Sequence, residues 1–528
     1  MNLRSIYSAA ALLILMGIIY SPLFTGSTEL TGDDYYYIDA VKELAHAGFS
    51  GIWTTPTKFE YFPVTISAYA IQYELWGESP RLFHLTNLLT FFFIGLTMVS
   101  LSRALNRDKE GPGGEISFLF AALLLLHPVN VESVSSISSI KELLYALFGL
   151  ISIRFFITRG GSGKALALLF AVLSQLSKGT AVMLPLIFFA YEYLYKEDRS
   201  LKKALFRTSP YFLSAAAIFW VQFQIASSSN VVGVPGLTAG ARVGGIVSTV
   251  STALWKILLP VNLSYEYDIR WPGSFNLGLE WVLPLCLIAV LIYLFLKKRY
   301  KVLFLCLLAV IPFLPYTNAV PLKHVVPGNI VFYDHYLLFT LAALSPLMTR
   351  GALLLPRRLN KPLLVFVLVL GTVYAIADYR LAGFWRTQAD LYGRIIKQSP
   401  RLSRAYYFLG KDYLEKEKYN EALELFQKAS SMGQTPPDNY YIWLGNAYAS
   451  LEDYEAAADA FREHLKIKPD EKPAMQNLSS ALIMLKRYDE AMVLVDRILL
   501  IYPADADALF NRKVIEEAEQ RQREEERN

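Results

Sequence analysis

Two adjacent carboxylates, Asp33 and Asp34, stand in the stretch Thr31-Gly32-Asp33-Asp34-Tyr35-Tyr36-Tyr37, directly after the first apolar segment of the chain. Such a pair is suited to taking a proton from an attacking hydroxyl, as a general base does, or to sharing a divalent cation. A helical pattern begins at the same point: Ile38, Val41, Leu44 and Ala45 recur at helix spacing and Gly48 marks a stop. The spacing Thr31-x-x-Asp34 therefore also fits a capping box, in which the carboxylate satisfies free backbone donors and the helix dipole. Both readings stand on these residues alone.

Other ionisable residues fall near the ends of apolar segments. They are His84, His127 with the following Glu132, Lys141 with the adjacent Glu142, Lys178 and the pair Asp334-His335. An ionisable group at mid-bilayer costs roughly 2.5–3.5 kcal/mol on insertion scales, so such groups face a cavity, a partner or the interface. Two polar loops carry further candidates for a sugar and a phosphate: Lys58, Glu60 and Tyr61 within residues 53–63, and Asp268 and Arg270 within residues 265–271. The plain alternative for each is local pairing, snorkelling or an aromatic belt. Residues 225–245, with their Ser and Gly, have the composition of a flap or of a plain linker.

The elements that must position these residues are membrane helices. The 528 residues are 54% hydrophobic and only 18% charged. The mean hydropathy of +0.32 is too high for an ordinary soluble protein. A retained signal anchor is expected at residues 6–23. Further apolar segments at 82–104, 115–127, 140–157, 164–177, 180–195, 208–225, 279–296, 301–316, 331–349 and 362–379 bring the expected number of spans to eleven. The basic clusters around Arg103, Arg154, Lys202, Lys298 and Arg357 all fall on one side, which makes that side and the N-terminus cytoplasmic. The Asp33-Asp34 loop (24–81) and the C-terminal part then lie outside, provided that residues 242–260 do not cross. The net charge of +5 comes from these basic loops, and nothing suggests a nucleic-acid partner. Cys286 and Cys306 lie in apolar segments and imply neither a disulfide framework nor a cysteine metal site.

Beyond residue 380 the composition turns to Glu, Lys, Asp and Ala. Tyr406, Leu409, Gly410, Tyr413, Ala422 and Phe426 recur as Tyr441, Leu444, Gly445, Tyr448, Ala457 and Phe461, and a third copy keeps Leu478, Leu482, Ala491 and Ile498. The period is 34 residues, with the first copy one longer, which is the tetratricopeptide pattern of paired helices. The expected fold is thus all-α: a polytopic helix bundle over 1–379, a connector helix over 380–402, three tetratricopeptide repeats over 403–503 as a short solenoid, and a polar capping helix over 504–528.

The order of motifs resembles the transmembrane and tetratricopeptide-repeat glycosyltransferases of the GT-C class, which are similar to protein O-mannosyltransferases. The resemblance is carried by Asp33-Asp34, Glu60-Tyr61-Phe62-Pro63, Leu75-Trp76-Gly77, His84 to Asn87, His127-Pro128 with Glu132, Lys141-Glu142, Leu176-Ser177-Lys178, Asp334-His335-Tyr336-Leu337, and Trp385 with Leu391-Tyr392. It departs from the family where Phe62 stands in place of Arg, where Lys141 stands in place of Arg or a similar base, and where Asp334-His335 replaces a Glu-Arg pair. Because His carries its charge only part of the time near neutral pH, that last change alters any phosphate contact and the choice of sugar donor.

The resemblance implies a membrane glycosyltransferase that takes a sugar from a polyprenyl-phosphate donor in the outer leaflet. Asp34, ahead of Asp33, is its expected base, and cations such as Lys58, Lys141, Lys178 or Arg270 would offset the leaving phosphate. The acceptor is a protein hydroxyl or a glycolipid, and the repeats recruit a protein or peptide on their concave face. No cofactor is required by this reading, and a divalent ion at Asp33/Asp34 is left open. A bacterial inner membrane with periplasmic repeats is expected, the endoplasmic reticulum being the alternative. An oligosaccharide ligase or polymerase of the O-antigen type is a related alternative. A non-catalytic scaffold, in which Asp33 and Asp34 only cap a helix, is the contrasting one.

Overall fold

The computed structural model describes residues 3–25, 28–32, 34–45, 48–57, 61–107, 113–158, 161–196, 198–228, 238–267, 269–270, 278–317, 319, 329–330, 332–434, 436–437 and 439–527. The chain forms two compact units, Met1–Arg394 and Ile395–Asn528.

In the first unit α1 (Leu3–Ile19) is followed by α2 (Asp34–Ala45), α3 (Gly48–Thr54), α4 (Pro63–Trp76) and α5 (Pro80–Leu105). Proline opens both α4 and α5, where its missing N–H removes no helical bond, and Gly77 closes α4 at φ 61°. Then come α6 (Gly113–Leu125), α7 (Val131–Ser135), α8 (Ile140–Thr158), α9 (Gly161–Ser177), α10 (Leu184–Ala190), α11 (Leu201–Ser228) and α12 (Ala239–Leu258). The unit continues with α13 (Val282–Leu296), α14 (Tyr300–Val310), α15 (Leu338–Leu353) and α16 (Asn360–Ala382), and the division falls inside α17 (Gln388–Gln398). The described extended structure is one antiparallel pair, with Ile269 opposite Ile330 and Arg270 opposite Asn329.

Among the described residues, five helical stretches are long and apolar enough to cross a membrane: Pro80–Leu105, Leu279–Leu296, Tyr300–Thr317, Asp334–Leu353 and Arg357–Trp385. A sixth arises if Gly113–Leu125 and Pro128–Ser135, bent by 58°, count as one broken span. Three more apolar helices, Ile6–Ile19, Ser162–Ser177 and Gly179–Tyr195, are shorter. Of the other segments expected to cross, α8 carries Lys141, Glu142 and Arg154, and α11 contains Pro210 with Gln222 and Gln224. Residues 242–260 fall mostly in α12, a 20-residue helix that packs on α13 and carries Arg242 and Lys256.

The bundle is built around α5, α6, α8, α9, α14 and α15. Small and hydroxyl residues draw these helices together, as they do where helices pack within a bilayer. Ser174 Oγ donates to Tyr145 O at 2.8 Å between α9 and α8, and Ser102 Oγ meets Ser345 Oγ at 2.7 Å between α5 and α15. Gly149 lets α8 approach α15 so closely that a Cβ there would lie 2.6 Å from Phe339 Cε2.

The second unit is a stack of helix pairs: α18 (Ser403–Glu415) with α19 (Tyr419–Ser430), α20 (Tyr440–Ser450) with α21 (Tyr454–Ile467), and α22 (Lys472–Met484) with α23 (Tyr488–Ile501), followed by α24 (Ala506–Arg527). The three turns inside the pairs are built alike. Glu417, Glu452 and Lys486 adopt φ of 59°, 64° and 60°, and the next residue's N–H returns to Tyr413 O, Tyr448 O and Leu482 O at 2.8, 3.0 and 2.9 Å. Within the pairs, Phe426 and Phe461 lie fully buried against Gly410 and Gly445.

Candidate active site

The site is organised by the segment joining α6 to α8. Pro128 ends the helical run of α6, and a 3-10 turn at Pro128–Asn130, α7 and a second turn at Ile137–Ser139 follow, all buried. Irregular backbone at such depth needs partners from elsewhere in the protein. Here side chains supply them. Asn130 Nδ2 donates to Leu124 O (2.7 Å), Asn87 Nδ2 to Ser136 O (2.7 Å) and Tyr69 Oη to Ile137 O (2.9 Å). Ser138 N donates to Asp34 Oδ1 at 2.7 Å.

Around this segment four charged side chains alternate in sign. Glu132 on α7 accepts from His335 N at 3.1 Å through Oε2, and its Oε1 pairs with His335 Nδ1. On the other edge of the imidazole, Nε2 lies 3.1 Å from Glu142 Oε1, and Glu142 is ion-paired with Lys178. Glu132 and Glu142 are nearly inaccessible, at 4% and 2% side-chain exposure, so each carboxylate depends on its partners in place of water. Lys178 also lies over two tyrosine rings, 5.0 Å from the centroid of Tyr316 and 5.3 Å from that of Tyr336, which stack on each other at 4.1 Å. Asp334, next to the imidazole in sequence, accepts from Tyr267 Oη at 2.7 Å. Burial, and then the Asp334 carboxylate, push the Tyr267 phenol well above its ordinary range.

The same segment connects these groups to the early acidic residue. Asp34 is fully buried at the start of α2. Its Oδ2 accepts from Thr31 N (3.0 Å) and Thr31 Oγ1 (3.4 Å), the return arm of a capping box, while Oδ1 holds Ser138 N. Three residues beyond Ser138, Lys141 Nζ donates to Tyr37 Oη at 2.5 Å and sits 4.9 Å from the centroid of that ring. Lys178 and His335 thus meet on Glu142, while Asp34 accepts from Thr31 and Ser138.

The structure brings Asp34, Glu132, Lys141, Lys178, Asp334 and His335 onto or beside the one segment. Three other expected residues go elsewhere. Tyr61 donates to Trp53 O at 3.0 Å. His84 is buried in α5 with no hydrogen-bond partner for either ring nitrogen among the described residues. His127 faces α12 and α16, its Nε2 3.0 Å from Ile257 O and its ring 5.0 Å from that of Tyr374. Asp33, Lys58, Glu60 and Asp268 lie outside the described residues, as does the side chain of Arg270. Among the described residues no three His, Cys, Asp or Glu side chains are grouped to hold a metal ion. Both oxygens of Asp34 already accept backbone hydrogen bonds.

Glu142, the central group, stands out in the sequence only as the neighbour of Lys141 and is absent from the expected site residues. Consecutive helical residues point about 100° apart, so Lys141 faces Tyr37 while Glu142 faces Lys178 and His335. Tyr267 and Tyr336 lie in stretches that the sequence marks, 265–271 and Asp334-His335-Tyr336-Leu337, but neither they nor Tyr316 are among the expected site residues, since tyrosines near span ends read first as an interfacial belt.

Two tetratricopeptide-repeat models match residues 389–472 and 448–509. Over 454 residues, 73% of this chain, the sequence is 23% identical to the mouse protein O-mannosyl-transferase TMTC4 and covers 60% of that protein. Over 179 residues it is 27% identical to the fruit-fly protein O-mannosyl-transferase Tmtc3, covering 33% of this chain and 19% of the relative. The chain therefore spans under two thirds of the length of these curated relatives. Among solved structures, ArnT from Cupriavidus metallidurans bound to undecaprenyl phosphate aligns over 87% of this chain and 80% of its own, at 14% identity and a TM-score of 0.42. The chain is thus a membrane protein with a tetratricopeptide-repeat region, similar over most of its length to the mouse protein O-mannosyl-transferase TMTC4.

Proposed function

We propose that the protein is a membrane glycosyltransferase that moves a sugar from a polyprenyl-phosphate donor to a hydroxyl, the acceptor being a protein recruited by the repeats. The observation that carries this reading is the buried chain Glu132, His335, Glu142 and Lys178, beside the segment whose Ser138 N donates to Asp34. Four ionisable groups buried together at the ends of apolar helices are costly to maintain for packing alone. The similarity to two protein O-mannosyl-transferases supports the same class.

In this reaction the acceptor oxygen attacks the anomeric carbon and its proton passes to Asp34, with Asp33 beside it. The bond from that carbon to the phosphate oxygen breaks, and the electron pair leaves with polyprenyl phosphate. Charge on the sugar develops as in an oxocarbenium ion, which a carboxylate stabilises, while Lys141 and Lys178 offset the phosphate. The remaining apolar helices cross as well, giving eleven spans with the N-terminus in the cytoplasm and the repeats outside, as in a bacterial inner membrane.

The test is transfer of radiolabelled sugar from a panel of polyprenyl-phosphate donors in membranes, comparing wild type with Asp33→Asn, Asp34→Asn and Glu142→Gln at matched expression. Loss of transfer in the Asp34 variant with the fold intact supports the proposal. The capping geometry of Asp34 favours a second reading, a repeat-bearing scaffold without catalysis. No transfer in the wild type, or equal transfer in all variants, would select it.

A further inference from the structure

At the opposite end of the same helices lies an open cavity of about 1390 Å³, lined by α1, α5, α6, α8 and α16. Lys141 and Arg154 share α8, and a rise of about 1.5 Å per residue puts them ~20 Å apart along the axis. On α5 the same rise puts Asn87, which holds Ser136 O, and Arg103 ~24 Å apart, most of the ~30 Å of a bilayer's hydrocarbon core. The cavity therefore sits at the level of the other leaflet's headgroups, away from the candidate active site.

Its lining has two characters. Among the described residues of the lining, Arg103, Arg107 and Arg154 contribute three guanidinium groups against one carboxylate, Glu115. Two of them are braced: Arg154 Nε donates to Ser100 Oγ at 2.8 Å, and Arg103 Nη2 donates to Gly114 O at 3.2 Å. Gly114 makes room for the second, since a Cβ there would lie 3.3 Å from Arg103 Nε and Nη2. The remaining wall is mostly apolar, with Leu96, Phe118 and Leu119 on one side and Leu363 and the exposed Leu364 on α16, interrupted by Ser8, Ser100 and Asn360.

We propose that this cavity binds one anionic glycerophospholipid, its phosphate held by Arg103, Arg107 and Arg154 and its acyl chains laid along the Leu and Phe wall. Guanidinium groups bind phosphate oxygens in pairs, and basic pockets between membrane helices take anionic headgroups. A soluble phosphate would satisfy the arginines and leave the apolar wall without an occupant. The lipid site is independent of the glycosyltransferase reading and stands or falls apart from it.

The experiment uses the full chain in nanodiscs of phosphatidylcholine alone, or with phosphatidylglycerol added. Lipid retained after detergent exchange is counted by native mass spectrometry, and thermal unfolding is followed in parallel. Phosphatidylglycerol is expected to be retained over phosphatidylcholine and to raise the unfolding temperature. R103Q/R107Q weakens retention by about fivefold for each arginine removed, and R103K/R107K restores most of it. If the double glutamine variant fails to fold, Arg107→Gln alone decides, with an expected fivefold loss. Equal retention of the two lipids, or unchanged retention in Arg107→Gln, overturns the proposal. Protection by inorganic phosphate equal to that by phosphatidylglycerol overturns the lipid assignment in favour of a simple anion site.

Discussion

His335 Nε2 lies 3.1 Å from Glu142 Oε1 while the opposite edge of the same ring meets Glu132, so one imidazole separates two buried carboxylates. Both carboxylates rely on it, because removing one partner of a buried ion pair leaves the other uncompensated. His335→Ala is expected to destabilise the membrane unit by about 3–5 kcal/mol. His335→Arg, which supplies a permanent fork of donors, is expected to lose far less. Thermal unfolding in detergent distinguishes them, and equal loss in the two variants would show that ring shape rather than charge is required.

Asp34 caps α2 and also holds the segment before α8, and these two roles differ in cost. Asp34→Asn keeps the side-chain shape but exchanges one acceptor oxygen for an NH₂ group. A loss of about 1 kcal/mol is expected from the cap, the usual worth of such a residue. Transfer activity should fall by far more than that, to background. A drop in activity no larger than the drop in folded protein would assign Asp34 to capping alone.

Tyr267 supplies the hydrogen bond to Asp334 from a loop distant in sequence. Because burial and the neighbouring carboxylate push the phenol up, it stays protonated and donating through neutral and moderately alkaline pH. Tyr267→Phe leaves the acceptor in place without its donor, at an expected cost of about 1–3 kcal/mol. In the wild type, ultraviolet titration should leave this tyrosine among the last to ionise.

Gly410 and Gly445 are predicted to tolerate no side chain. A Cβ at these positions would lie 2.6 Å from Phe426 Cε1 and 2.5 Å from Phe461 Cε1. Gly410→Ala or Gly445→Ala should cost about 1–3 kcal/mol by overpacking, although alanine is the better helix former. Pairing Gly445→Ala with Phe461→Leu should recover part of the loss, as read from urea unfolding of the repeats.

At the far end of the repeats, Asp505 accepts from Lys472 Nζ at 2.8 Å and from Ala508 N at 2.9 Å. These bonds, the lysine's first, hold its carboxyl below the usual value. A depressed carboxylate contributes stability above its unfolded pKa of about 4 and loses that contribution as the pH falls through the folded value. Amide exchange in α24 should therefore quicken below about pH 4, and less so in Asp505→Asn, which has no charge to lose.

The repeats were legible because their packing is local. Gly410 and Phe426 sit a fixed distance apart in sequence, and the same distance separates Gly445 from Phe461, so the spacing itself records the contact. The membrane site was legible only in part. Lys178 and His335 stood out as charges near the ends of apolar runs, but their meeting point, Glu142, depends on which way one residue of α8 faces. His84 stood out by the same rule and lies among buried groups of α5, because position along a helix does not fix direction around it. Five of the expected spans are helices long and apolar enough to cross, among the described residues, and the segment expected at 115–127 bends at Pro128, which apolar content does not record.

The segment from Pro128 to Ser139 has a consequence for the order in which the protein assembles. Its backbone groups are held by Tyr69 and Asn87 and by Asp34, all earlier in the chain, while Glu132 waits for His335, some two hundred residues later. Contacts of such sequence separation form late in folding. A nascent chain inserted only through α9 therefore carries two buried acids with no histidine between them, and the pocket closes when α15 arrives.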